Sequence, residues 1–475
     1  MAPQVVRQVF AGVCVAVFIQ LAATASEIGR ESEAAGGQVD IATATIVARH
    51  HLQVLDVADS FTVCDARAVG GADNGAALCY CFDLFPRGYV VVSAWRELPP
   101  VIAYSLTGEA GDDLGPGNPL ADLLTWDLRM RLDHVALIPA EIVAQQRAAW
   151  AEYLGEAPSP KARLVQYWPP QGSTPTEGWV LTNWTQNAPY NNLCPMDLFH
   201  GARSLAGCPA VAMAQIVNYQ TRFNGTSFSD TDDYYHNYQS NQFWIDNDYI
   251  ARGFPSWPQL NTYMKTLFNS YFNGQTPSPT SNAALVFACG AAAHQVYNSQ
   301  GSGTFGVSQA LQAYQRFGCT TAVLLNASTP DLQEHLAQNM MDGYPAHLAI
   351  VDAAWHYGHN IVVDGYNTNG YFHFNFGWGV STWNGWYQLL AGMPYEMNVI
   401  EGVVVDIMID DCLPMDCDCD GVVTWNDFTY FAGCLSGPAL SYGAPGCASF
   451  NGDGDSDVDL ADFGQFQVAF GHAGK

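Results

Sequence analysis

The stretch that most constrains this chain is Gly207-Cys208-Pro209-Ala210-Val211-Ala212-Met213-Ala214-Gln215-Ile216. A tight Gly-Cys-Pro turn runs straight into good helix formers, and Pro209 takes a first-turn position where its missing N–H is tolerated. Cys208 therefore stands at the N-terminal mouth of a helix. Unpaired backbone N–H groups and the positive end of the helix dipole favour a thiolate there. A lone cysteine in a helix is ordinarily a small core hydrophobe, so a chemical reading needs a base elsewhere in the chain.

That base is offered far downstream. Gly358-His359-Asn-Ile-Val-Val-Asp-Gly-Tyr366, the turn Asn367-Thr-Asn-Gly370 and Tyr371-Phe-His-Phe-Asn375-Phe-Gly-Trp378-Gly379 read as a β-hairpin. His359 opens the first strand, where it can take the thiol proton and return it to a leaving amine. Asn375 and Trp378, toward the end of the partner strand, are placed to orient or shield the imidazole. His356 and His373 compete for the role of base. His356 lacks the Gly-His context, and His373 is set among aromatics as a packed residue. Upstream, Gln186 has the side chain to donate an N–H to a developing oxyanion beside the Cys208 backbone N–H. A cysteine at a helix start with a histidine at a strand start is a cysteine-hydrolase constellation. The glycine-rich segment 297–306 lacks the Lys-Ser/Thr pair of a phosphate-binding loop and reads as a mobile loop bordering a cleft. Helical spacing resumes over 307–317, and 322–325 and 347–351 have the character of buried strands.

Composition excludes other classes. A chain of 475 residues, 49% hydrophobic and 13% charged, is globular and long enough for two or three domains. Seventeen basic against 45 acidic side chains give a net charge of −28, which argues against a general nucleic-acid binder. Residues 1–25 have the pattern of an export leader. Arg7 heads an apolar run over 9–21 that is too short to span a membrane, and Ala23-Thr24-Ala25 is a small-x-small cleavage site. The mature chain is expected to be secreted or held at the cell surface, without a membrane span, where disulfides are permitted.

Residues 26–165 read as a separate unit. It has helical spacing over 41–57, a hairpin turning at Pro86-Arg-Gly88, and a helix-like run over 121–154 broken at Pro139. Nothing in it groups acids, bases and nucleophiles, and Cys64, Cys79 and Cys81 read as disulfide-bonded or core. The unit is an accessory domain or an inhibitory propeptide. The Pro- and Gly-rich stretch 158–176, with Lys161 and Arg163, reads as an exposed, cleavable linker.

The tail, 411–475, holds ten Asp, no Glu and a single Lys. Asp416, Asp418, Asp420, Val422 (by its carbonyl), Thr424 and Asp427 stand at positions 1, 3, 5, 7, 9 and 12 of a calcium loop, with Gly421 at the sharp turn. The pattern recurs in Asn451, Asp453, Asp455, Asp457, Asp459 and Asp462, where Ser456 replaces the glycine. Each loop precedes a short apolar helix, so a small all-α, EF-hand-like duplicated module binding Ca2+ is expected. Cys434 and Cys447 are disulfide candidates, and all five cysteines of the tail are read as structural.

With these residues in view, the central block resembles the streptopain-like cysteine peptidases, papain-fold enzymes made as zymogens. The segments around Gln186, Cys208, Gly301-Ser-Gly303, His359 and Asn375–Trp378 carry the resemblance in order. Gly88-Tyr-Val-Val-Val-Ser and Pro99-Pro-Val-Ile-Ala-Tyr-Ser resemble that family's propeptide. Pro209 and Phe376 depart from its pattern, which has a β-branched residue after the cysteine and a Trp at the second position. The resemblance implies an α+β papain-like peptidase domain (166–410) behind an α+β inhibitory propeptide (26–165). It implies a Cys208–His359 thiolate–imidazolium pair with Gln186 in the oxyanion hole, acting on protein substrates without a cofactor. The tail resembles a dockerin type I module, which implies a cohesin-like or cell-surface partner. Acyl transfer of the transglutaminase kind is the near alternative, and a non-enzymatic, calcium-dependent adhesion or scaffold protein the far one.

Overall fold

Residues 37–70, 76–111, 113–115, 117–156, 165–223, 225–352, 358–379, 383–388 and 399–471 are described by the structure, a computed structural model. The leader expected at 1–25, the first part of the linker (158–164) and His356 lie outside them. An eleven-stranded antiparallel sheet organises the chain. From one edge its strands are Thr62–Val69, Cys79–Phe85, Tyr89–Ser93 and Val101–Ser105, followed by Gly385–Tyr387, Phe372–Asn375 and Gly358–Asn367. Ala346–Val351, Ile400–Val405 and Val323–Leu325 complete the order, and the short strand Tyr167–Trp168 pairs with Gly358–Asn367.

The N-terminal unit supplies the first four strands. At the seam Trp386 lies opposite Tyr104 and Tyr387 opposite Ala103. The region read as a separate unit is thus hydrogen-bonded into the sheet of the domain that follows it, and Val39–Lys475 forms one compact body. Its hairpin turns at Gly88, whose φ of +106° and closeness to the Ser105 carbonyl leave room only for glycine. Asn118 caps the helix Pro119–Asp133, and Pro139 separates it from Ala140–Tyr153, as the sequence break requires. Cys64, Cys79 and Cys81 carry free thiols, the last two buried.

Two cores lie on opposite faces of the sheet. One gathers the helices Cys208–Gln220, Trp257–Phe272, Pro279–Ala292 and Ser308–Arg316 against Ala349, Val362 and Val404. The other packs Pro119–Asp133 and Leu332–Met341 against Leu348, Ile350, Ile361, Val363, Phe374 and Phe376. Side chains alternate along a strand, so neighbours in Gly358–Asn367 face different cores. Among the described residues no helix is long and apolar enough to cross a membrane.

Candidate active site

The helix Cys208–Gln220 begins where the sequence places it. Its N-cap Gly207 has φ +84°, and a Cβ there would stand 2.6 Å from Gln295 Oε1. Gln295 is buried and donates from Nε2 to the Ala206 carbonyl at 2.7 Å. Leu205 N donates to Asn298 O at 3.1 Å, so the glycine-rich loop, closed by the Val296–Gly303 bridge, runs beside the approach to Cys208. Gln186 is held at the same place through its backbone, whose carbonyl accepts from Ala206 N at 2.8 Å. Its half-buried side chain makes no hydrogen bond among the described residues.

Cys208 Sγ accepts hydrogen bonds from Asn360 N at 3.4 Å and from Asn360 Nδ2 at 4.0 Å. No hydrogen bond joins it to His359. Alternation along the strand explains this. Asn360 and Val362 face the core that contains the nucleophile helix, whereas His359 shares its face with Ile361 and Val363, toward the helix Pro119–Asp133. There His359 lines a cavity of about 540 Å³ together with Gly117, Pro119, Asp122, Trp126, Ile350 and Trp378. The N-terminal unit therefore lies over the histidine, on the face away from the thiol.

Trp378 meets His359 as the sequence suggests, donating from Nε1 to His359 Nε2 at 2.7 Å. The Phe376 carbonyl stands 3.0 Å from the same nitrogen and accepts when Nε2 carries the proton. Asn375 does not touch the imidazole. It is buried, donates to the Thr182 carbonyl at 2.7 Å and accepts from Gly377 N at 3.0 Å. Asn375 thereby fixes the segment before Gln186 instead of the base. His373 pairs with Asp364 at 2.6 Å, both fully buried, and is a packed residue.

Burial pushes the Cys208 thiol up from its usual range against the two Asn360 hydrogen bonds, and it pushes His359 down to about 4. Among the described residues no cation stands beside the sulfur, and desolvation outweighs the hydrogen bonds that favour a thiolate at the helix mouth. Three further residues shape the site. Asn360 directly follows the histidine. Asn384 accepts from Phe376 N at 3.0 Å and donates to Asn183 at 2.6 Å. Gln215 accepts from Thr182 Oγ1 at 3.1 Å and Trp184 N at 3.0 Å. Gln215 was legible as the one amide within the apolar run 209–217 of its helix, where a buried polar group needs partners.

In the tail the two acidic loops share one hydrogen-bond plan. Asp427 accepts from Cys417 N at 2.9 Å and Thr424 N at 2.8 Å, and Asp462 accepts from Gly452 N and Asp459 N at 2.8 Å each. Thr424 and Asp459 cap the helices Trp425–Cys434 and Leu460–Ala469. The gathered carboxylates differ between loops: Asp416, Asp418 and Asp420 in the first, Asp457, Asp459 and Asp462 in the second. Val422 N donates to Asp420 at 2.9 Å just as Asp457 N donates to Asp455 at 2.8 Å, and Asn451 and Asp453 likewise accept from the backbone of their own turn. Gly421 has φ +89°; the second loop instead bends at Gly454, with φ +77°. Asp416 is fully buried and its Oδ1 has no partner, as does Oδ1 of Asp457. An all-oxygen donor set of this kind suits a hard divalent cation such as Ca2+. Disulfides join Cys412 to Cys419 and Cys434 to Cys447, while Cys417 is free and buried.

Residues 184–387 match the Peptidase C10 family, and residues 36–125 match the Spi protease inhibitor family. A thiol protease/hemagglutinin, PrtT of Porphyromonas gingivalis, is 24% identical over 319 residues, which cover 65% of this chain. The chain spans 33% of that curated relative's length. Among solved structures, a fragment of Prevotella intermedia prointerpain A with a cysteine-to-alanine mutation aligns at a TM-score of 0.49 and 19% identity, covering 74% of this chain and 100% of the fragment. Active interpain A cysteine protease of the same organism aligns at 0.36 and 24%, covering 49% of this chain and 94% of that one. Residues 184–387 thus resemble the cysteine peptidase domain that the C10 family model describes.

Proposed function

We propose that this chain, a C10 peptidase domain behind an inhibitor-like domain, is the latent precursor of a secreted cysteine endopeptidase. One observation carries the reading. Cys208 stands at a helix mouth against the strand that bears His359, yet the imidazole is turned to the opposite face, under the helix Pro119–Asp133. Removing the N-terminal unit uncovers that face and releases the strand end at Gly358–His359 to rearrange, the step that brings the imidazole round to the thiol. Cys208 then attacks a peptide carbonyl, with the Gln186 amide and the Cys208 backbone N–H holding the oxyanion. His359, steadied by Trp378, protonates the leaving amine and activates water for deacylation. The export pattern of residues 1–25 and the two disulfides of the tail support secretion.

The test is to incubate the full chain under reducing conditions with an unstructured protein, following both shortening of the chain and cleavage of the substrate. Loss of both in Cys208→Ala and after thiol alkylation supports the assignment. Transfer of the acyl group to an added amine without hydrolysis would turn the reading to acyl transfer, and inertness in every arm to the adhesion or scaffold role.

A second reading concerns the tail, taken as a Ca2+-binding module that anchors the enzyme through a cohesin-like or cell-surface partner. Its support is the orphaned Oδ1 of buried Asp416 among gathered carboxylates. Asp416, Asp418 and Asp420 would hold the ion in the first loop. Calcium raising the unfolding midpoint of the tail checks it, and indifference to calcium and chelator overturns it.

A further inference from the structure

We infer that the tail is clasped to the peptidase domain through its first acidic loop, so that a divalent cation held there stabilises the peptidase domain together with the tail. The inference takes its ligand from the calcium reading and its consequence from an interface within the chain.

The receiving surface is the helix Trp257–Phe272 with the neighbouring turn at Gly225. The Phe272 ring packs against Tyr430 and Phe450 at centroid distances of 5.0 and 6.4 Å, and Phe268 meets Tyr430 edge-on at 5.5 Å. Tyr430 OH donates to Asn269 Oδ1 at 2.6 Å, and Lys265 Nζ to Asn426 Oδ1 at 3.2 Å. Gly446 presses on Phe272, leaving no space for a side chain. The acidic loop itself closes the seam: Gly225 N donates to the Asp418 carbonyl at 3.0 Å, and a Cβ on Gly225 would meet Asp420 Cα at 2.7 Å.

Asp418 and Asp420 are therefore at once candidate ligands and interface residues. Three carboxylates offer oxygens within 4.8 Å of one another, an arrangement that repels itself without a counter-charge. The fully buried Asp416, with Oδ1 unpartnered, supplies the independent sign of a missing ligand. Behind the seam, Trp257–Phe272 packs on Pro279–Ala292, and that helix packs on Cys208–Gln220. Any free energy that orders residues 416–420 is thus shared with the scaffold of the nucleophile helix.

The experiment uses the full chain carrying Cys208→Ala, which prevents self-cleavage, with and without Phe272→Ala. Phe272 packs against the tail's core and lies outside the buried peptidase core, so its truncation opens the seam selectively. Terbium luminescence displaced by calcium reports binding. Pulsed alkylation in urea reports opening of the peptidase core at buried Cys289 and of the tail at buried Cys417. Calcium at about 100 times its Kd is expected to slow alkylation of both thiols by up to about a hundredfold, and of Cys417 alone in Phe272→Ala. Terbium binding with a Cys289 rate indifferent to calcium overturns the clasp and leaves the cation reading standing. Absence of terbium binding overturns both. A calcium effect on Cys289 that survives Phe272→Ala overturns the seam as its route.

Discussion

At neutral pH burial keeps both halves of the candidate dyad uncharged in the intact chain, the thiol pushed up and His359 pushed down to about 4. On the proposed reading, chemistry waits on a change of environment around Cys208 and His359. Cys208→Ala should lower hydrolysis by at least about 10³-fold while leaving the urea midpoint nearly unchanged. Retained turnover would remove the assigned nucleophile. Trp378→Phe deletes the N–H that reaches His359 Nε2, and a two- to tenfold fall in kcat/KM, roughly the worth of one hydrogen bond, is expected from steady-state rates of the processed enzyme. A third expectation concerns acid. Burial holds His51 at about 3 and His347 and His359 at about 4. Below about pH 6.5 the unfolded chain takes up protons that these buried imidazoles refuse. Their stabilisation is complete above that pH and is lost on acidification, by at most about 1.4 kcal/mol per pH unit for each group. Urea midpoints of the Cys208→Ala chain between pH 7 and 4.5 measure the slope, and His51→Gln should make it shallower.

Single elements decide how the two units meet. The strand Gly385–Tyr387 receives Val101–Ser105, and the approach is close enough that a Cβ on Gly385 would stand 2.6 Å from Tyr89 OH and 2.7 Å from the Tyr104 carbonyl. All of those obstacles belong to the N-terminal unit. Gly385→Ala should accordingly loosen the seam in the precursor and spare the processed enzyme. The expected outcome is faster peptide hydrolysis by the intact chain with an unchanged rate after processing; a fall in both would mean that Gly385 matters to the peptidase fold itself. The strand Gly358–Asn367 acts through its alternation, since a shift of one residue moves a side chain between the thiol's face and the covered face.

At the scale of the whole chain, the proposed latency rests on the shared sheet. Four strands contributed by the N-terminal unit extend the peptidase sheet, and its helix Pro119–Asp133 builds the core over His359. Separately produced residues 37–165, added to processed enzyme, should suppress hydrolysis in a saturable way; rates indifferent to the fragment would assign latency to something other than this packing. Much of the plan was legible without coordinates. Gly207–Cys208–Pro209 marked a helix start, Gly358–Tyr366 with its Asn/Gly turn marked a hairpin, and the repeated Asp spacing marked two alike loops. All of these are local signals, set by backbone freedom and side-chain period over a few residues. The amino-acid order by itself thus determined the elements and the residues they carry. Only the tertiary structure decided that Cys208 meets Asn360 across 152 residues of chain, that His359 faces the other core, and that Asn375 anchors Thr182. It likewise decided that the second loop gathers Asp457, Asp459 and Asp462. The reason is physical: which face of a strand is covered, and by what, depends on segments distant in sequence whose pairing no local period encodes.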